Sequence, residues 1–216
     1  MDIYLLDRNK EVVSDWKFYF TNKAYCGDHI FIVNDDFAHF MNQHEIDCVV
    51  SPANSYGLMD GGYDGAISAY FGDELIPSVQ DYIREHFACE QPVGTSFIIQ
   101  IPNTNMRLIH TPTMRVPSII REPLIVYHCM RSTLLVARKN NVKSIVIPAF
   151  GGSCGQVPSW TIARLMRAAY EQICNPPSVM DWNYAMLRKL ESTDINESPS
   201  KAFIKALSGY SKNEKK

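Results

Sequence analysis

Twice along this chain an apolar, strand-like run passes directly into a glycine-bearing loop and then into the start of a helix. The first instance spans residues 48–72, where Cys48-Val49-Val50 reads as a buried parallel strand. Asn54 stands at the strand's end, Gly57 and the Gly61-Gly62 pair follow, and Tyr63-Asp64-Gly65-Ala66-Ile67 opens a helix. Such a loop lets backbone amides approach a ligand closely, and the N–H groups of the following helix favour negative charge. Asn54 at one rim and Asp64 at the other would put two polar side chains on one pocket. In the second instance Ser144-Ile145-Val146-Ile147-Pro148-Ala149-Phe150 leads into Gly151-Gly152-Ser153-Cys154-Gly155, and Pro158 starts a helix with Ile162, Leu165, Met166, Ala169 and Ile173 at helical spacing. Two strand–loop–helix units of this kind constrain the chain to an α/β architecture with an anion cradle on one edge of its sheet. Neither is a dinucleotide fingerprint, since Phe150 stands where the first glycine of that motif would fall, and no Gly-Lys-Ser/Thr phosphate loop occurs.

Between and around these units, residues 3–6, 16–20 and 29–33 read as three short strands joined by polar turns. The Asn34-Asp35-Asp36-Phe37 corner reads as the N-cap of a helix over 37–44. Helices are expected over 64–70, 77–87, 123–139 and 181–191, and strands over 96–101 and 107–110. Trp182 reads as a core residue of the last helix, and the polar segment 192–216 as a tail separate from a single domain over 1–191. The segment 111–117 is too rich in proline to continue a sheet, and its Arg115 reads as a solvated loop arginine. His110 and His128 read as structural histidines, for no acid lies near either in sequence.

At 216 residues the chain can bury one sizeable core. Its net charge of −2, with both signs interspersed, points away from nucleic acid and anionic membranes. An anion would therefore be held mainly by backbone amides. The six cysteines lie far apart without a Cys-x-x-Cys pair and read as buried reduced thiols rather than a metal site or disulfide framework. Cys154 is taken as a small apolar filler. No basic-flanked leader or apolar run of about 18 residues is present, so a cytoplasmic protein without a membrane span is expected.

The segment Ser51-Pro52-Ala53-Asn54-Ser55, followed by Asp60-Gly61-Gly62-Tyr63-Asp64-Gly65-Ala66-Ile67, resembles the signature loop of the macrodomain family, and residues 147–155 resemble that family's second loop. The likeness extends over about 29–174, and 111–117 with the helix beyond resembles a bacterial and phage subgroup. It implies a three-layer sandwich with a mixed, mostly parallel sheet between helices, and ADP-ribose, free, as an ester or on a modified protein, as ligand, with no cofactor or metal. By this resemblance the diphosphate lies between the amides of Gly61, Gly62 and Tyr63, beside Ala53, and those of the Phe150, Gly151, Gly152, Ser153, Cys154 and Gly155 stretch. Asp36, with Phe37 in the place of the usual Ile, would read the adenine; Asp35 is the alternative. Asn54 would bind the distal ribose, and Asn54 with Asp64 matches the pair on which one class of ADP-ribosyl hydrolases relies. Ser51-Pro52 in place of Asn-Ala, and Tyr63 in place of a small residue, depart from the pattern. A hydrolase of ADP-ribosyl or O-acyl-ADP-ribose linkages, a non-catalytic ADP-ribose reader and a binder of another nucleotide such as NAD all follow from the likeness. The closing strand usual in the family is not apparent after Cys174, which leaves the adenine wall to Trp182 or Tyr184.

Overall fold

A computed structural model describes residues 1–20 and 26–187. The chain runs β1 (Asp2–Leu6), α1 (Lys10–Phe20), β2 (His29–Val33), α2 (Phe37–Met41), β3 (Cys48–Ser51), α3 (Gly62–Phe71), α4 (Leu75–Phe87), β4 (Phe97–Gln100), β5 (Arg107–His110), α5 (Ile125–Lys139), β6 (Ser144–Ile147), α6 (Ser159–Cys174) and α7 (Trp182–Leu187). The six strands form one sheet in the order β2-β1-β6-β3-β5-β4. Every pairing is parallel except that of β4 with β5. The expected mixed, mostly parallel sheet between helix layers is the architecture observed.

Alternation along the inner strands builds the three layers. In β6, Ile145 and Ile147 enter a core shared with α1, α5 and α6, while Val146 faces the opposite core, packed by α2, α3 and α4. In β3, Cys48 and Val50 take the first side and Val49 the second. Strands buried on both faces have no polar side to show, which is why they read as unbroken apolar runs.

Residues 16–20 are a correction: the sequence suggests a strand, and they form the second half of α1. The aromatic run obscures a helical period, for the buried residues are Val12, Val13, Asp15, Trp16 and Phe20, while Phe18 faces out at 43% exposure. Asn9 supports the helix start, its Oδ1 accepting from the Glu11 N–H at 2.9 Å. Topology requires the helix, because β1 and β2 are parallel neighbours and such neighbours need a crossover.

The second correction concerns the end of the chain. Trp182 is 83% exposed on α7 and does not pack into the core. Tyr184 ties α7 to α6 by donating to Gln172 Oε1 at 2.5 Å. Among the described residues no strand follows Cys174; one flank of β6 is taken by β1, from the start of the sequence, paired Leu5 to Ile147. The tail over 192–216 lies outside the described residues. No described helix is long and apolar enough to cross a membrane.

Candidate functional site

The ends of the parallel strands converge on a cleft of about 230 Å³. Strand β3 delivers Pro52, Ala53 and Asn54 to it, the first glycine loop Asp60 to Asp64, and the second loop Gly151 to Gly155. Open parallel sheets bind ligands at these carboxyl ends, because there the loops diverge and helix N-termini point inward.

Each loop is shaped by its residues. Gly62 begins α3, and Ser68 Oγ donates to the Met59 carbonyl at 2.6 Å, tying the helix to the loop before it. Gly151 lies at φ +76°, in the left-handed region that side chains resist, and an added Cβ would stand 2.8 Å from Ile120 Cδ1. At Gly155 a Cβ would stand 2.6 Å from the Gly151 carbonyl oxygen. The second loop therefore folds back on itself and on Ile120, whose N–H donates to the Gly155 carbonyl at 2.9 Å.

Asn54 is 7% exposed, and its carboxamide builds the first loop: Nδ2 donates to the Leu58 carbonyl at 2.8 Å, while Oδ1 accepts from Tyr56 N at 3.0 Å and Leu58 N at 3.3 Å. The amide carries a second N–H beyond the one given to Leu58, and Asn54 lines the cleft. Asp64, in the first turn of α3, accepts from Ser51 Oγ at 2.7 Å. Burial pushes the Asp64 carboxyl up to about 7, which the Ser51 hydrogen bond only partly counters. A carboxyl poised there exchanges its proton near neutrality, as a general base requires. Beside it, the Tyr63 ring meets Phe37 edge-on at 5.5 Å, and the Tyr63 hydroxyl is buried with no hydrogen-bond partner.

The cleft thus brings together Ala53, Asn54, Gly61, Gly62, Tyr63, Asp64, Gly151, Gly152, Ser153, Cys154 and Gly155. Three residues expected at the site do not line it. Asp36 caps α2, its Oδ1 accepting from His39 N at 2.9 Å; Phe37 is buried behind Tyr63; and Phe150 is buried in the core beneath the second loop. Asp35 is bound to the His39 ring, 2.6 Å from Nδ1. Cys154 is exposed in its loop rather than a buried filler, and of the six thiols Cys48 and Cys129 are fully buried.

Sequence reasoning missed Asp7, at the end of β1, and Thr113 and Met114, beyond β5, all of which line the cleft. It also missed Ser51 as the partner of Asp64. For Asp7 the signal was position: it follows an apolar run directly, as Asn54 follows β3. Arg115 is turned away into a paired contact with Glu90, Nε to Oε1 at 2.7 Å and Nη2 to Oε2 at 3.0 Å, over the Tyr56 ring. His110 is buried, bonded through Nδ1 to Gln91 Oε1 at 2.5 Å, and burial lowers its pKa to about 3, so it is a neutral core residue. His128 is exposed on α5. Among the described residues no group of His, Cys, Asp or Glu is arranged to hold a metal ion.

A family model described as Macro domain matches residues 50–166. An uncharacterised protein of Aquifex aeolicus is 29% identical over 167 residues, covering 76% of this chain and 90% of its own. A protein of Escherichia fergusonii named O-acetyl-ADP-ribose deacetylase is 33% identical over 112 residues, half of this chain and 62% of its own length. Among solved structures, a point mutant of the Oceanobacillus iheyensis macrodomain with ADPR superposes with a TM-score of 0.54 at 23% identity, covering 63% of this chain and 75% of that one. The macrodomain of Mycobacterium tuberculosis DarG does so at 0.52 and 16%, covering 61% and 86%. At these identities the superpositions speak to the fold alone.

Proposed function

The chain belongs to the macro domain family, and from that premise we propose that its cleft binds ADP-ribose and hydrolyses ADP-ribosyl ester linkages, either mono-ADP-ribosyl or O-acyl-ADP-ribose. The observation that carries this reading is the Asp64 carboxyl in the cleft, held by Ser51 and poised near neutrality, with a glycine loop on either side. The diphosphate lies between the amides of residues 61–63 and 151–155. The remaining N–H of Asn54 donates to a distal-ribose hydroxyl, and Asp36 receives the adenine amino group through the oxygen not spent on the helix cap. Asp64 takes a proton from a water: in an ester on the anomeric carbon the water attacks that carbon as its bond to the acyl oxygen breaks and a carboxylate leaves, and in an O-acyl ester it attacks the acyl carbon as the ribose oxygen leaves and takes the proton back from Asp64. General-base help of this kind is worth about 10²–10⁴-fold. The name of the Escherichia fergusonii relative agrees with ester chemistry.

A second reading, a non-catalytic ADP-ribose reader, is favoured by Tyr63, which lines the cleft next to Asp64 where the family usually has a small residue. Titration calorimetry with ADP-ribose, with ADP and NAD as competitors, tests the ligand. Turnover of an O-acyl-ADP-ribose by wild type and Asp64→Ala tests the chemistry. Retained binding with turnover lost in Asp64→Ala supports the hydrolase; binding without turnover by wild type leaves the reader; preference for NAD overturns both.

A further inference from the structure

Along the carboxyl edge of the sheet the strand ends follow in the order β2, β1, β6, β3 and β5. Neighbouring ends stand about 4.8 Å apart. The proposed adenine contact, Asp36, follows β2, and the second glycine loop follows β6. Strand β1 separates them, and it ends in Asp7, which lines the cleft. The part of ADP-ribose between adenine and diphosphate is the adenosine ribose.

The backbone around Asp7 is tied down. Asp7 N–H donates to the Val33 carbonyl at 3.2 Å, and Asn34 Nδ2 donates to the carbonyls of Asp7 at 2.9 Å and Arg8 at 3.0 Å. The side chain is oriented too, for its Oδ1 accepts from the Asn9 N–H at 2.7 Å. An acceptor held in this place suits a ligand group that can give hydrogen bonds. A vicinal diol is such a group, and an acidic side chain on the ribose 2′-hydroxyl is a recurring solution in nucleotide sites.

Building on the ADP-ribose reading, we infer that Asp7 binds the diol of the adenosine ribose and makes the cleft reject a 2′-phosphate. A 2′-phosphate would set a dianion against the Asp7 carboxylate at the place where a hydroxyl would otherwise donate to it.

The test is titration of wild type, Asp7→Asn and Asp7→Ala with ADP-ribose, 2′-deoxy-ADP-ribose and ADP-ribose 2′-phosphate. Wild type should prefer ADP-ribose over each analogue by about ten-fold or more, the scale of a hydrogen bond to a charged group. Asp7→Ala should lose about ten-fold for ADP-ribose and little for the deoxy analogue. Asp7→Asn keeps an oxygen for Asn9 and so preserves the local fold, yet should narrow the discrimination against the 2′-phosphate. An unchanged 2′-selectivity in Asp7→Asn and Asp7→Ala, with wild type binding ADP-ribose, overturns this inference alone. Failure of wild type to bind ADP-ribose overturns it together with the reading on which it rests. A thermal midpoint in each variant separates loss of binding from loss of fold.

Discussion

Asp64, half-buried, and His110, buried, are two titratable side chains whose ordinary values desolvation shifts in opposite directions, and together they set an acid–base signature for folding. Asp64 rises to about 7, so the folded state holds a proton there that the unfolded chain releases above the usual carboxylate range. Its contribution to stability therefore grows as pH falls from about 7 toward 4. His110 is lowered to about 3, so the unfolded chain takes up a proton below about 6.5 that the folded state refuses. Its contribution is lost over nearly the same window as pH falls. In wild type the two slopes oppose each other. Asp64→Asn removes the first, and its urea midpoint should drop between pH 6.5 and pH 4 more steeply than that of wild type. Equal slopes in the two proteins would show that Asp64 keeps an ordinary pKa. If Asp64 is the base, kcat/KM for an ADP-ribosyl ester should also rise with pH to a plateau, with its midpoint near 7.

At the scale of elements, α2 and the second glycine loop carry the sharpest expectations. Asp36 caps α2 through His39 N, so Asp36→Ala should cost about 0.5–2 kcal/mol of stability. Asn caps as well as Asp, so Asp36→Asn should leave stability nearly unchanged. If that side chain also receives the adenine amino group, both variants lose affinity; affinity equal to wild type in Asp36→Asn would remove Asp36 from the site. In the second loop, Gly155→Ala places a methyl against the Gly151 carbonyl oxygen, a backbone atom that moves only with the loop. We expect a loss of about 1–3 kcal/mol, read by denaturant titration, together with weaker ADP-ribose binding. Much of this level was legible in advance, because capping and glycine loops are local chemistry. Strands β3, β5 and β6 and helices α5 and α6 follow from apolar runs and spacing that tertiary contacts merely ratify. The residues 16–20 were not legible as helix, because an aromatic run satisfies strand and helix patterns alike and only the partner face decides between them.

At the scale of the whole molecule, the decisive fact is that β1 lies inside the sheet, flanked by β2 and β6. Leu5 on β1 is fully buried between those neighbours and the helical layer. Leu5→Ala should therefore cost about 2–5 kcal/mol, measured by equilibrium unfolding; a cost below about 1 kcal/mol would contradict the placement of this strand in the core. Sequence order alone determined the two strand–loop–helix units, the α/β class and the residues of both glycine loops, because each rests on neighbours within a few positions of one another. The joining of Asp64 to Ser51, the turning of Arg115 onto Glu90, the exposure of Trp182 and the arrival of Asp7 at the cleft were decided by tertiary structure. Each depends on which strand lies beside which, and parallel pairing is made between segments far apart in the chain, where local propensity carries no information.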